Sequence, residues 1–515
     1  MIIGAGSEFT MRFILYISVI LLLGGCNPLT KEQRELIASL KERELPAWYD
    51  DAKLGIFIHW GPYTVPAFAP TENHVHDTFL NHYENSSVHV PYAEWYWNAL
   101  QNGEGATYDY HIDNFGEEYP YQQFGYDFQQ AVSQWDPDAW AEQFAAAGAK
   151  YVVLTTKHHD GFLLWPSAHQ NPNDHQWYSE RDLVGELAAA VRARGMKFGI
   201  YYSGGFDWMW NQEGFGRNIT ELIAGTPTDA GYGNYVEAHF RELVERYEPS
   251  VLWNDISYPG GGNLWPLVSD YYEMVPDGVI NDRFSDMNPI ALMLRNPSLR
   301  ALADKVIKYI LKLNGGDMTA FMAVGLQPHY DFKTREYVDI SSIDHQKWEA
   351  TRGLGLSFAY NQNETEENLL SDKELIEGFI DTVSKNGNML VNIAVKANGD
   401  IPDSQTQRLD ALGEWLASNG EGIYGTRPWE RAQGETAEGE AVRFTKRDNV
   451  LYAIIFDVTR RDELRLLDIS ESNISSISLL SYGLTEWRQE RGDLIVALPN
   501  EFDFNGPLTV AIELE

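Results

Sequence analysis

Short runs of four to six residues recur through this 515-residue chain, apolar along their length and closed by polar residues. They are Leu54 to His59 (LGIFIH), Tyr151 to Thr156 (YVVLTT), Phe198 to Tyr202 (FGIYY), Val251 to Asp255 (VLWND), Val279 to Asp282 (VIND), Leu356 to Tyr360 (LSFAY) and Met389 to Ile393 (MLVNI). Continuous apolarity means that both faces of a strand are covered, as in a parallel sheet. Helical patterns lie between the runs. In DLVGELAAAVRARG, Leu183, Leu187 and Val191 recur every four residues, Asp182 can cap the start and Gly195 follows the end. In NYVEAHFRELVERYEP, Val236, Phe240, Leu243 and Tyr247 make the same stripe, closed by Pro249. Strand and helix in alternation over this length predict a (β/α)8-like barrel rather than an open doubly wound sheet, and no Gly-rich phosphate loop argues for the latter.

The barrel pattern occupies residues 45 to 424. From 425 to 515, segments such as AVRFTKRDNVLYAIIFDV, ELRLLDI and DLIVALP alternate apolar and polar residues between turn signals, which predicts a small antiparallel β-sandwich. Two domains also suit the length, because single cores stop growing beyond roughly 250 to 300 residues. Residues 284 to 328, including PSLRALADKVIKYILKLNGG, fit neither pattern. They form a basic, amphipathic insertion between two strand ends, open to reading as a lid, a partner surface or a plain insertion.

From Met11 the chain reads MRFILYISVILLLGGCNP: one basic residue, an apolar run from Phe13 to Leu23, then Gly24-Gly25-Cys26. The run is too short for a stable span and has the layout of a secretory signal. Its ending, LGGC, resembles the bacterial lipobox, in which cleavage leaves the cysteine as a lipid-bearing amino terminus. Cys26 is the only cysteine, so intrachain disulfides are excluded and lipidation at Cys26 is expected. Residues 1 to 10 read as a misassigned start or a cloning remnant, and 27 to 44 as a charged linker. The expectation is an exported bacterial cell-envelope lipoprotein that touches the membrane only through its anchor.

Thirty-nine basic against 75 acidic residues give a formal charge of −36, which repels phosphate backbones and anionic membrane surfaces and argues against a nucleic-acid partner. In a barrel, sites form at the carboxyl ends of the strands. Those ends collect His59 and Trp60, His158 and His159, Tyr201 and Tyr202, Trp253 and Asp255, and Asp282 and Arg283. Convergent donors and acceptors beside aromatic faces suit a hydroxyl-rich ligand. Zinc would need three or four ligands at about 2.0 to 2.3 Å, and neither HExxH nor a cysteine pair is present. Neighbours on a strand point to opposite faces, so His158 and His159 of KHHDG can both reach a ligand only if the strand breaks its alternation at Lys157. Neither a metal nor a cofactor is expected.

LGIFIHWGPYTVP, PYAEWYW, WDPDAWAEQFAAAGAKYVVLTTKHHDGFLLWPS, RDLVGELAAAVRARGMKFGIYYSGG, VLWNDISYP, DFKTREY, KWEATRGLGLSFAYN and SKNGNMLVNIAVKANGDIP resemble, in this order, the α-L-fucosidases of glycoside hydrolase family 29. The resemblance covers most of residues 45 to 430, and GEWLASNGEGIYGTRPW leads family-like into the sandwich. It implies retaining double-displacement hydrolysis of terminal α-L-fucosyl residues from fucosylated glycans, for which two carboxyl groups stand roughly 5 to 5.5 Å apart. Asp255 matches the family nucleophile. Glu336 in DFKTREY matches the general acid/base, with Glu349 in KWEATRG as the alternative. His59, Glu94, Trp95, His158, His159, Tyr201, Trp253 and Arg283 are carried over as sugar contacts. Two departures stand out: the insertion lengthens the chain between Asp255 and Glu336, and TENHVHDTFLNHYENSSVHV breaks the pattern before PYAEWY. A fucose-binding surface lipoprotein without catalysis and an α-L-galactosidase using the same site are the competing readings.

Overall fold

The computed structural model describes residues 29–286, 288–313, 315–316, 327–338, 340–469, 473–499 and 506–515. The signal-like leader with Cys26, and part of the 284–328 insertion, lie outside the described residues.

Eight parallel strands form one curled sheet: β1 (Leu54–Ile58), β2 (Tyr151–Lys157), β3 (Lys197–Ser203), β4 (Val251–Asp255), β5 (Val279–Ile280), β6 (Lys333–Glu336), β7 (Trp348–Gly353) and β8 (Gly387–Asn392). Their order is β5-β4-β3-β2-β1-β8-β7-β6. Its two edges meet through a parallel bridge between Asn281 and Phe332 and a hydrogen bond from Asp331 N to Ile280 O of 3.0 Å, so the sheet closes as a (β/α)8-like barrel.

Strand pleating sorts the side chains into two cores. Phe57, Tyr151, Val153, Tyr201, Val251, Trp253, Val279, Phe332 and Leu390 make an interior cluster. The residues between them, including Ile56, Ile58, Val152, Leu154, Ile200, Leu252 and Ile280, pack outward with the helices. Both helices read from the sequence form: Leu183–Ala193, capped by Asp182 Oδ1 accepting from Gly185 N at 2.9 Å, and Ala230–Tyr247, which ends at a left-handed Glu248 before Pro249. The charged linker contains a third helix, Lys31–Lys41, opened by a Thr30/Gln33 capping box.

One expected strand is not a strand. Leu356 to Tyr360 is an irregular loop, and the barrel instead uses β6 (KTRE) and β7 (WEATRG), which are too polar to stand out as apolar runs. The reason lies in what they face. Glu349 of β7 points into the amino-terminal end of the barrel, where it accepts from Tyr151 OH at 2.6 Å, Tyr49 OH at 2.8 Å and Trp253 Nε1 at 3.1 Å. Tyr49 comes from a short helix, Ala47–Ala52, that plugs this mouth.

After the barrel come β9 (Arg427–Glu435), β10 (Ala441–Arg447), β11 (Val450–Ile455), β12 (Glu463–Leu466), β13 (Ile474–Leu479), β14 (Gly483–Leu484), β15 (Trp487–Glu490), β16 (Asp493–Ala497) and β17 (Leu508–Leu514). They form antiparallel sheets of order β14-β13-β17-β11-β10-β9 and β12-β16-β15. Val442, Phe444, Leu451, Leu464, Leu494 and Val510 from both sheets share one buried core, which makes a sandwich.

Glu349 therefore works as a structural acceptor. Replacing it with alanine strips the partner from three buried donors, at roughly 1 to 3 kcal/mol for each group left unpaired. Glu349→Ala should lose about 3 kcal/mol or more in urea unfolding at pH 7.

Candidate active site

The same alternation that builds the interior core aims the site. Counting by twos, Val251 and Trp253 lead to Asp255, Val279 and Asn281 to Arg283, Phe332 and Thr334 to Glu336, and Phe57 to His59. All four sit at the carboxyl ends of their strands, where the barrel opens.

Asp255 and Glu336 share one guanidinium. Arg283 Nη1 donates to Asp255 Oδ1 at 2.6 Å, and its Nη2 lies 2.6 Å from Glu336 Oε1. Asp255 Oδ2 accepts from Tyr201 OH at 2.7 Å, and Oδ1 also accepts from Ile256 N at 2.9 Å. Burial alone would raise the Asp255 pKa; the adjacent Arg283 charge, His159 and the Tyr201 hydroxyl outweigh it and hold the carboxyl below its ordinary value. For Glu336 the balance reverses: burial, with the negative charge of Asp255 nearby, prevails over Arg283 and raises it. One carboxyl thus favours the ionised form and its neighbour the protonated form.

Backbone geometry fixes Asp255 in place. Ile256 and Ser257 both have positive φ (53° and 72°), a strained conformation for a β-branched residue directly after the carboxylate. The turn fits because Gly205 lies against it: a Cβ there would stand 1.8 Å from Ile256 O. Gly204 N completes the contact by donating to Asp255 O at 3.0 Å.

The register between β2 and β3 shifts by one residue between Thr155 and Lys157. Lys157 consequently faces outward, with Nζ 3.2 Å from buried Asp207 and 4.8 Å from the Tyr202 ring centroid. His158 is turned inward by the slip. The strand then ends, and the His158 and His159 rings lie side by side with centroids 3.9 Å apart, which a regular pleat would forbid. The His158 ring lies 5.5 Å from that of His59 and stacks on Tyr201 at 5.8 Å.

The imidazoles are neutral and oriented. Burial pushes His59 down to about 4 and His159 to about 3. Asn392 Nδ2 donates to Phe358 O, leaving its Oδ1 to accept from His59 Nδ1 at 2.7 Å. Ser203 Oγ donates to Phe206 O at 3.1 Å and accepts from His159 Nδ1 at 2.7 Å. Both assignments leave Nε2 as a hydroxyl acceptor. His158 Nδ1 and Trp208 Nε1 are buried without a hydrogen-bond partner among the described residues.

Aromatic faces complete the walls. Trp253 stacks on Tyr201 at 5.2 Å, with the Arg283 guanidinium 4.8 Å from its ring, and Trp95 meets His159 edge-on at 5.7 Å. Glu94 is buried; its Oε2 accepts from Ser357 Oγ and Ala359 N, both at 3.0 Å, and burial pushes its pKa up to about 7. Every residue read as a sugar contact lies at this end of the barrel except Trp253, whose ring stands between the two ends, stacked on Tyr201 with its Nε1 on Glu349. Glu349 itself lies away from the site: three donors saturate it at the opposite end. Sequence reasoning missed Asn392, Ser203 and Trp208, although the first two close apolar runs and could have been read as strand-end polar groups. It also missed Phe358, 4.9 Å from His59, because the LSFAY run looked like a strand. Among the described residues no group of three or more His, Cys, Asp or Glu could hold a metal ion.

Two buried carboxyls of opposite proton demand, opening onto neutral acceptors and aromatic faces, are the equipment of a glycoside hydrolase. Residues 27–421 match the family model described as alpha-L-fucosidase. The chain is 32% identical over 453 residues to an alpha-L-fucosidase of Dictyostelium discoideum, covering 86% of this chain and 84% of that protein. It is 30% identical over 472 residues to the tissue alpha-L-fucosidase of Rattus norvegicus, with 90% and 87% covered. The solved structure of Thermotoga maritima alpha-fucosidase in complex with fucose superimposes with a TM-score of 0.76 at 36% identity, over 92% of this chain and 98% of that one. The chain belongs to the α-L-fucosidase family.

Arg283 is the counter-ion for two buried carboxyls, and removing one partner of such a group costs about 3 to 5 kcal/mol. Arg283→Met should lose that much stability at pH 7 by urea unfolding. The loss should shrink in acid, where protonation neutralises the carboxyls that Arg283 had balanced.

Proposed function

We propose that this chain is an exo-acting α-L-fucosidase that releases terminal fucose from fucosylated oligosaccharides or glycoconjugates with retention of anomeric configuration. The observation that carries the reading is the single guanidinium spanning Asp255 and Glu336. It supports two carboxyls acting on one bound bond, one held ionised and one protonated, as double displacement requires.

In this mechanism ionised Asp255 attacks the anomeric carbon while protonated Glu336 gives its proton to the departing glycosidic oxygen. A covalent fucosyl-Asp255 ester and the free aglycone result. Glu336, now ionised, takes a proton from water as the water oxygen attacks the same carbon, which releases fucose and regenerates Asp255. The lowered pKa of Asp255 and the raised pKa of Glu336 support these roles in that order. His59 and His159 accept from ring hydroxyls through Nε2, and Trp253, Tyr201 and Phe358 offer an apolar wall suited to the C5 methyl group.

The kcat/KM profile on an aryl α-L-fucoside should be bell-shaped. Its acid limb falls below the ordinary aspartate range, where Asp255 becomes protonated, and its alkaline limb above the ordinary glutamate range, where Glu336 loses its proton. Asp255→Ala should cost at least about 10³-fold in kcat. Glu336→Gln should abolish the alkaline limb. Fucose released with inverted configuration, or full activity in Asp255→Ala, would sink the assignment. An aryl α-L-galactoside turned over equally well would favour the galactosidase reading.

The chain is further proposed to be an exported lipoprotein of the bacterial cell envelope, supported by the apolar run Phe13 to Leu23 ending in Gly24-Gly25-Cys26. Expressed in a lipoprotein-processing host, it should partition into detergent phase, and Cys26→Ser should move it to the aqueous phase.

A further inference from the structure

Among its described residues the insertion holds two helices, Asn288–Leu294 and Pro297–Leu313. The second packs through Ile310 and Leu311, which are buried, with Ala303 and Ile307 half-buried against the core. Asp304 anchors it by accepting from Thr220 Oγ1 at 2.6 Å and Tyr83 OH at 2.9 Å, and Lys308 pairs with Glu84. Tyr83 and Glu84 belong to the same departing segment, residues 71 to 90, that sets His74 against Tyr337 at 5.2 Å, one residue beyond Glu336. The helix thus stands on the rim of the catalytic mouth.

Its outer face is unusual for this protein. Among the described residues, five of the ten exposed large hydrophobic side chains are Leu292, Leu299, Leu302, Tyr309 and Leu313, each between 42% and 59% exposed. The last four fall on one side of the long helix. Residues 288–313 also carry five basic residues (Arg295, Arg300, Lys305, Lys308 and Lys312) against one acid, within a chain of net charge −36. Lys305 and Lys312 are exposed beside the apolar arc and make no ion pair among the described residues.

We propose that the helix Pro297–Leu313 is an interfacial platform that seats the rim of the catalytic mouth on an anionic phospholipid bilayer. An exposed apolar arc flanked by lysines is the pattern of a helix lying in the headgroup region. Charge selects this occupant over a second copy of the chain, because a two-fold contact on this face would set one lysine edge against another. Screening over about 8 Å at physiological salt limits the repulsion from the acidic remainder, so the local sign decides. The contact is a second one, independent of any lipid at Cys26.

The test uses the chain from Asn27 onward, which keeps every described element and lacks the apolar leader. Cosedimentation is measured with phosphatidylcholine vesicles and with vesicles containing phosphatidylglycerol. Binding is expected only to the latter and should weaken in high salt. Lys305→Ala with Lys312→Ala should reduce it by roughly fivefold for each lysine removed. Leu302→Glu with Leu313→Glu should abolish it. Hydrolysis of a soluble aryl fucoside, unchanged in both pairs, verifies folding. Equal binding to both vesicle types, binding that survives either pair, or self-association of the chain that the leucine pair abolishes would overturn the proposal.

Discussion

A closed parallel barrel leaves each strand residue two directions, and that alternation governs both stability and chemistry here. Odd positions on β1 to β5 fill the interior and, at the strand ends, become His59, Tyr201, Asp255 and Arg283. The rule is broken once, by the shift between Thr155 and Lys157. A single extra residue turns Lys157 into the outer layer, where Ser203 O, Phe206 O and Asp207 receive its charge, and brings two adjacent imidazoles to one pocket. The chain thereby gains a second acceptor without an additional strand. The cost is a buried Lys157–Asp207 pair that exists to satisfy the displaced ammonium.

Arg283 resolves a second conflict. Two carboxyls close together in a dry site cannot both be ionised without a counter-charge, and two protonated carboxyls would leave no nucleophile. A guanidinium offers nitrogens to both in one plane, which an ammonium cannot. The division is then set by the remaining donors. Asp255 has Tyr201 and Ile256 N in addition to Arg283, whereas the raised pKa of Glu336 reflects burial beside an existing negative charge. The strained Ile256–Ser257 turn keeps Asp255 rigid, so the proposed attack would require little reorganisation.

Much of this was legible in the sequence because apolar runs and their polar terminators report directly on a doubly covered strand. β1 to β5 and β8 were visible in that way, and with them His59, Tyr201, Trp253, Asp255 and Arg283. β6 and β7 were not. KTRE and WEATRG spend their inward positions on Thr334, Glu336, Glu349 and Thr351, and a strand with polar inner residues loses its hydrophobic signature. LSFAY misled for the converse reason: an irregular loop that lines a pocket is as apolar as a strand. The partners that orient the imidazoles, Asn392 and Ser203, depend on pairwise geometry that no single stretch of sequence encodes.

The insertion separating Asp255 from Glu336 raised the question of whether so long an excursion could leave the two carboxyls together. Its ends answer it. Gln327 Oε1 accepts from Phe284 N at 3.0 Å, while Gln327 Nε2 donates to Asn281 O at 3.0 Å and His329 O at 3.1 Å. One side chain therefore ties the exit from β5 to the approach to β6, and the Asn281–Phe332 bridge closes the ring behind it. Once the ends are fixed, further residues between them add closure entropy only logarithmically. An excursion of this kind can change freely at its tip while the distance between its ends stays constant. That is why the rim above the pocket can acquire a new face without disturbing the carboxyls beneath it.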